Sequence, residues 1–425
     1  MFKKNSAVFF AVGFIACMLF VPATQAQKVR KTVFIIVDGI PADVMEKLNP
    51  PNLAALGQNG GYSRAYVGGV RGTYSETPTI SAVGYNSVLT GTWVNKHNVW
   101  DNDIAEPNYN YHTIFRYLKE QYPQKKTAVF SSWLDNRTKL VGDNFEATGN
   151  IPVDYHFDSL EHDKVKYPHD KAREFMSRID EDVAAHASQA ILQQAPDLTW
   201  VYLEYTDDMG HMYGDSPQFH KGISLADKRV GYIMNAVKER EQKFNEEWLV
   251  IVTTDHGRGA KTGKDHGGQS DRERSGWIYT NAKGLNEQFK QPQLSIVDIM
   301  PTIARFMDIT VPRNNALEVD GIPFTGAISF VQPTVQLAAN KLTISWKALA
   351  PNGDVKLWVS SSNNFKSGGN DDYAPAGSVA LAAQQAEIDF SAKAPGLYKI
   401  VLEAPANTAN TWVQKKEDGS LVTKF

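Results

Sequence analysis

Four short and nearly continuous apolar runs punctuate the chain, at 31–37 (KTVFIIV), 127–132, 199–206 and 248–254, rich in Val, Ile, Phe and Tyr. Strands covered on both faces read this way, because neither side meets water. Between them, apolar residues recur three and four apart, notably over 169–194 and 219–240, as in helices with one buried face. Strands alternating with helices predict an α/β fold: a doubly wound, mostly parallel sheet spanning 27–330. The segment 295–312 reads as a closing helix ended by Pro312. Beyond it the texture changes to short alternating runs such as KLTISWKAL and LYKIVLEA, separated by NGD, SGGN and APG turns. That pattern predicts an all-β sandwich of the immunoglobulin or fibronectin III kind over 333–425. It holds no obvious catalytic cluster, so a stabilising appendage and a binding module are both open.

Composition fits this picture: 425 residues, 42% hydrophobic and 21% charged, have room for a large core and a second domain. The first 26 residues combine two lysines, one apolar run and a small-residue exit at Ala23-Thr24-Gln25-Ala26. This is the grammar of a signal peptide cleaved after Ala26, and it predicts export to the periplasm or the extracellular space. Cys17 lies inside the apolar run, which disfavours lipid attachment, and the run is short for a stable membrane span. Cys17 is also the only cysteine, so the mature chain has no disulfide. Removing Lys3 and Lys4 takes the formal charge from −3 to about −5, and no basic stripe is visible. Duplex nucleic acid is therefore not an expected partner, whereas a small nucleotide is compatible. The oligomeric state is left open.

An acid follows three of the four apolar runs: Asp38 after KTVFIIV, Asp207 after TWVYLEYT and Asp255 after WLVIVTT. Histidines stand close behind, His211 four residues after Asp207, and His256 and His266 one and eleven after Asp255. A lone Asp is commonplace in turns and at helix caps. Three at the carboxyl ends of strands converge in an open α/β sheet, and carboxylate with imidazole is the ligand set of zinc and similar ions. The six donors suffice for two ions. Asp208, next to Asp207, reads as a supporting or solvated acid. Ser81 sits near the first turn of a helix-like stretch that closes on Leu89-Thr90-Gly91, where backbone N–H groups favour an alkoxide and a phosphate. It could equally serve only to cap that helix.

With these residues in place the chain resembles the alkaline phosphatase superfamily, and more closely its nucleotide pyrophosphatase/phosphodiesterase branch. Ser81 lies ten residues before Gly91, the spacing that separates the branch's threonine nucleophile from the glycine of a T-G pair. Asn102 lies 21 residues after Ser81, where the branch has an asparagine that contacts the non-bridging phosphate oxygen. The resemblance implies Asp38, Asp255, His256 and the Ser81 oxygen at one metal and Asp207, His211 and His266 at the other, with two zinc ions as cofactors. It implies that Ser81 attacks phosphorus to give a phospho-serine, and that Asn102 stabilises charge on the equatorial oxygen. Losing one such donor costs on the order of 3 kcal/mol in the barrier.

The expected substrate is a small phosphate ester or nucleotide-like molecule. Departures bear on which one. Serine replaces the usual threonine, Val83 and Gly84 replace a proline and an asparagine, and Ala82 replaces the aromatic residue that helps hold a nucleotide base. Some monoesterases carry a Lys-x-Arg pair in the loop after the second strand; here Arg137 is present but Asp135 stands at the lysine position. An acid there repels a dianion and favours a diester or pyrophosphate over the alternative, a phosphomonoester. Arg137 and Tyr205, with Tyr202 nearby, are candidates for substrate contacts. Sulfatase chemistry is disfavoured because the C/S-x-P-S-R signature is missing, and the signal peptide disfavours a cytosolic mutase. A surface- or glycan-binding protein working through its β-domain is the alternative from another class.

Overall fold

The computed structural model describes residues 1–2, 27–290, 292 and 294–425, so the expected signal peptide lies outside the described residues apart from its first two. The main sheet has seven strands: β1 (Val29–Val37), β2 (Gly61–Tyr66), β3 (Thr127–Ser131), β4 (Tyr155–Phe157), β5 (Leu198–Leu203), β6 (Glu246–Thr253) and β7 (Ser275–Thr280). Their order is β2-β7-β6-β1-β5-β3-β4. From β6 to β4 every pairing is parallel, while β7 runs antiparallel to both β6 and β2.

Central β1 shows why its run is unbroken. Phe34 and Ile36 enter the core on one face of the sheet, and Val33, Ile35 and Val37 enter the core on the other. Helices Glu174–Gln193 and Pro217–Lys243 cover the second face with Phe175, Ile179, Phe219 and Ile223. Helices Ser81–Thr90 and Ile299–Phe306 cover the first with Tyr85, Leu89, Met300 and Ile303. The doubly wound, mostly parallel architecture read from the sequence is present.

Three expectations shift. The run at 199–206 is not one strand: β5 stops at Leu203, and Tyr205–Tyr213 is a helix with Asp207 and Asp208 in its first turn. Acids there oppose the positive end of the helix dipole favourably. The closing helix is led in by a Ser295–Asp298 capping box and ends at Phe306, with Met307 as its C-cap and Asp308 left-handed at φ 56°. Pro312 is therefore not its terminator; it precedes the short turn of helix Arg313–Ala316. Finally, the β-region opens at Phe330 rather than at 333. Pro333 lies inside that first strand, where the register breaks and Gln332 has φ 55°. A bulge is where a strand tolerates proline.

The eight C-terminal strands are β8 (Phe330–Ala338), β9 (Lys341–Ala348), β10 (Asp354–Ser360), β11 (Ala374–Ala380), β12 (Gln385–Asp389), β13 (Gly396–Glu403), β14 (Thr408–Lys415) and β15 (Leu421–Val422). They form two antiparallel sheets, β12-β9-β8 and β11-β10-β13-β14-β15, around one shared core. A buried ionic network ties them to the rest of the chain. Lys399 Nζ donates to Glu318 Oε1 (2.9 Å) and Asp371 Oδ2 (2.6 Å). Lys96 Nζ donates to Asp320 Oδ1 (2.5 Å), the Glu318 carbonyl (2.7 Å) and Asn410 Oδ1 (2.8 Å). The two ammonium groups lie 4.6 Å (Lys399) and 5.6 Å (Lys96) from the centre of the Trp412 ring.

Replacing Lys399 by Met strands Glu318 and Asp371 as buried carboxylates without their shared cation. Breaking a buried pair in this way costs about 3–5 kcal/mol. Urea denaturation should register a loss of that order, and a loss no greater than that of an exposed-pair variant such as Lys341→Ala would contradict it.

Candidate metal centre

Register brings the first group of side chains together. Ile36 of β1 pairs with Thr253 of β6, so Asp38 and Asp255 each follow two residues later on neighbouring parallel strands. Both are 1% exposed, and His256, next in the chain, is fully buried. His256 Nδ1 donates to the Gly257 carbonyl (2.9 Å), which leaves its Nε2 lone pair facing inward. That nitrogen lies 3.3 Å from Asp38 Oδ1, 3.2 Å from Asp255 Oδ2 and 3.3 Å from Ser81 Oγ. The outer oxygens of both acids are satisfied: Asp38 Oδ2 accepts from Tyr202 OH (2.7 Å) and from Tyr85 OH, and Asp255 Oδ1 accepts from Gly39 N (3.1 Å). Their inner oxygens, Asp38 Oδ1 and Asp255 Oδ2, are buried without a hydrogen-bond partner.

The second group adjoins the first. Asp207 and His211 sit one turn apart on helix Tyr205–Tyr213, with Oδ2 and Nε2 at 3.2 Å. His266 arrives on a loop, its Nδ1 donating to Thr79 O (2.8 Å) and its Nε2 lying 3.0 Å from His211 Nε2. The His256 and His266 rings stack at 3.7 Å between centroids, which makes the two groups one centre. This half is more open, with the His211 side chain 46% exposed.

Ser81 is the first residue of helix Ser81–Thr90, whose cap position is Ile80, without a side-chain cap bond. Its hydroxyl therefore serves no cap and faces His256. Gly84 lets that helix lie flush on the Asp255 turn, since a Cβ there would come 2.8 Å from the Asp255 carbonyl oxygen. Asn102 Oδ1 accepts from Ala82 N (3.0 Å), which fixes the amide orientation and leaves its –NH2 as a donor beside the first helical turn.

The electrostatics are those of an uncompensated acceptor cluster. Burial, then the charge of Asp207, pushes the Asp38 carboxyl up to about 7. Burial and the charge of Asp38 raise Asp255 well above the carboxylate range. Burial and the His266 ring hold His256 well below the usual imidazole value. Burial also works against the charged form of Asp207, but the hydrogen bond from His211 and the charge of Arg258 outweigh it and keep that carboxyl below its ordinary value. Orphaned buried carboxylate oxygens and inward lone pairs are costly without a cation and well suited to one. Asp38, Asp255 and His256, and likewise Asp207, His211 and His266, offer the carboxylate and imidazole donors that could hold a metal ion.

The remaining candidates lie elsewhere. Arg137 pairs with both oxygens of Asp158 (2.5 and 3.1 Å) and with Asp143 Oδ2 (2.6 Å), so its guanidinium is engaged structurally rather than offered to a substrate. Tyr205 belongs to the core on the opposite face and its OH donates to Glu174 Oε1 (3.1 Å). Of these two tyrosines it is Tyr202, in the core on the near face, that reaches the centre, where it meets Asp38 beside Tyr85. Asp208 pairs with Arg173 (2.7 Å).

Sequence reasoning missed Tyr85 and Arg258. Tyr85 lies one turn after Ser81, a spacing that shares a helix face. Arg258 is fully buried; its Nε donates to Gly39 O (2.8 Å), Nη1 to Lys264 O (3.0 Å) and Nη2 to Asp207 O (2.9 Å), with Asp207 Oδ1 also in contact. Its trace in the sequence is a pair of glycines. A Cβ on Gly39, at φ 69°, would meet Asp207 Oδ1 at 2.6 Å and Arg258 Nη2 at 2.7 Å; one on Gly210 would meet Arg258 Cζ at 2.1 Å.

A mostly parallel sheet carrying this centre at its carboxyl edge belongs to the alkaline phosphatase superfamily. Within it, the model of the type I phosphodiesterase / nucleotide pyrophosphatase family matches residues 32–308, and the chain belongs to that family. The human ectonucleotide pyrophosphatase/phosphodiesterase family member 5 is 23% identical over 263 residues, 59% of this chain and 50% of that protein. The venom phosphodiesterase CdcPDE of Crotalus durissus collilineatus is 23% identical over 235 residues, 53% of this chain and 26% of that protein. The chain thus spans about a quarter to a half of the length of these curated relatives. Among solved structures, a 2-O GAG sulfatase shares the fold, with a TM-score of 0.50, 12% identity and 85% of each chain covered.

The raised Asp38 carboxyl makes the metal-free fold sensitive to pH. Its native value of about 7 stands above the ordinary 3.8, so the native state binds this proton more tightly than the unfolded chain. That contribution is full below the unfolded value and is lost as pH rises through the native one. In chelator, thermal melts should show Asp38→Asn gaining on the wild type as pH is raised from about 4 to about 8. Curves that stay parallel would contradict the assignment.

Proposed function

We propose that this chain is an exported, two-zinc phosphodiesterase or nucleotide pyrophosphatase that works through Ser81. The observation that carries the reading is the Ser81 hydroxyl, 3.3 Å from His256 Nε2, beside two carboxylate oxygens that have no other partner. Asp38, Asp255 and His256 would hold one ion with the Ser81 oxygen, and Asp207, His211 and His266 the other. Bound there, the ions supply a lowered hydroxyl pKa and neutralisation of phosphoryl charge.

The chain's own groups do the rest. Ser81 Oγ forms the new bond to phosphorus as the bond to the leaving oxygen breaks, and water then hydrolyses the phospho-serine. First-turn N–H groups of helix Ser81–Thr90 and the Asn102 –NH2 donate to the non-bridging oxygen. Tyr85 and Tyr202 hold Asp38 by its outer oxygen, which keeps the inner one directed at the centre. In this reading residues 27–329 are the catalytic domain, preceded by a signal peptide cleaved near Ala26, and 330–425, from the first C-terminal strand onward, form an accessory β-domain.

Charge accounting favours a diester or pyrophosphate. A monoester brings one more negative oxygen, and the loop that could meet it has its charges internally paired, Arg137 with Asp158 and Asp143, and Lys139 with Asp135 at 2.8 Å. The substrate class is nucleotide-like by family, but Ala82 is fully buried and offers no face to a base.

Ser81→Ala should lower turnover by several orders of magnitude while metal content, read by elemental analysis, stays at the wild-type level. Full activity in that variant would refute the nucleophile. Asn102→Ala should cost on the order of 3 kcal/mol in the barrier, about a hundredfold in rate. On an aryl phosphate diester and its matching monoester, the diester should be preferred; a monoester preference of several orders of magnitude would replace this reading with a phosphomonoesterase.

A further inference from the structure

Among the described residues Arg258 is the one fully buried cation that reaches the centre, and its contacts are selective. It touches the Asp207 carboxylate by one oxygen, Oδ1, while Oδ2 is the oxygen 3.2 Å from His211 Nε2. Its other donors go to three backbone carbonyls, of Gly39, Asp207 and Lys264. These belong to the turn after β1, the helix that carries His211 and the loop that leads to His266. None of its hydrogen bonds goes to Asp38, Asp255 or His256. The space it fills exists only because residues 39 and 210 lack side chains.

We propose that Arg258 is a positioning residue for the second metal group: it occupies Asp207 Oδ1, presents Oδ2 alone to the cation, and holds the His211 helix and the His266 loop in register with the Asp38 turn. The guanidinium also pairs its fixed positive charge directly with the Asp207 carboxylate, whereas Asp38 and Asp255 take their hydrogen bonds from the neutral donors Tyr85, Tyr202 and Gly39 N. One carboxylate faced by one arginine leaves the Asp207 group near neutral, whereas the Asp38 and Asp255 group carries two acids. The second group is therefore the weaker and more exchangeable of the two. This inference rests on the two-metal reading above and adds an order of filling and a residue that sets it.

The test is titration of the metal-free, full-length protein with cobalt(II), followed by calorimetry and visible absorption. The wild type should bind two ions in two resolved steps. Arg258→Lys keeps the charge and loses the planar fork; Gly210→Ala keeps the arginine and drives a methyl into the guanidinium's place. Each should weaken the second step by about tenfold or more, the usual effect of disturbing a group that orients a metal ligand. The absorption of the second ion should change and that of the first should not. Asp38→Asn should do the converse and weaken the first step. Because Gly210→Ala leaves Arg258 in the chain, it decides the matter if Arg258→Lys does not fold. Wild-type behaviour at both steps in both variants, or equal weakening of the two steps, would overturn the proposal. A wild type that binds no cobalt would bring down the two-metal reading itself, an outcome visible before any variant is made.

Discussion

Asp38 Oδ1, Asp255 Oδ2 and His256 Nε2 meet in a buried space where, among the described residues, the hydroxyl of Ser81 is the single donor within reach. Groups that only accept hydrogen bonds repel when brought together out of water, and each buried carboxylate without a partner costs several kcal/mol. Much of the surrounding structure serves to hold this arrangement against that repulsion. The parallel register of β1 and β6 aligns the two acids, and Tyr202, Tyr85 and the Gly39 amide take their outer oxygens. The two apolar cores on either face of the sheet keep the strands from parting.

Helix Ser81–Thr90 is fixed at both ends by unrelated means. Its first turn meets the centre through Ser81 and, one turn on, through Tyr85. Its last turn closes on Gly91, left-handed at φ 68°, whose carbonyl accepts from Asp320 N (2.9 Å) and Gly321 N (3.2 Å). Asp320 in turn accepts from Trp93 N (2.9 Å) and pairs with Lys96, whose ammonium also meets Asn410 of the C-terminal sheets. The buried lysines around Trp412 thus sit at the far end of the helix that presents the hydroxyl. This gives the β-region a mechanical connection to the centre without placing any of its side chains there.

How much of this was readable from the residues follows from what each signal depends on. The strands of the main sheet and the convergence of their following residues depend on local apolar runs and topology, and both were legible. Asp207 was read as strand-terminal because LEYT continues the apolar texture, but the chain turns helical at Tyr205, and only that turn puts Asp207 and His211 on one face. The same turn sends Tyr205 to the far core and leaves Tyr202 at the near one. Arg137 stood as a candidate for substrate contact because its partners, Asp143 and Asp158, are identifiable only once the loops are packed. Arg258 stood in view within T-D-H-G-R, yet nothing local separates an arginine on the surface from one threaded between two glycines.

The site's character is set as much by which charges are already paired as by those that converge. Arg137, Lys139 and Arg173 each have a carboxylate partner, and Arg258 is committed to Asp207. A phosphoryl group bearing two negative oxygens would find no further unpaired cation among these side chains. In the proposed function, one bearing a single charge would need none beyond two bound ions and the neutral donors of Asn102 and the helix's first turn. Discrimination between phosphate esters would then come from this pairing within the chain, because each internal ion pair removes a cation that the second negative oxygen would require.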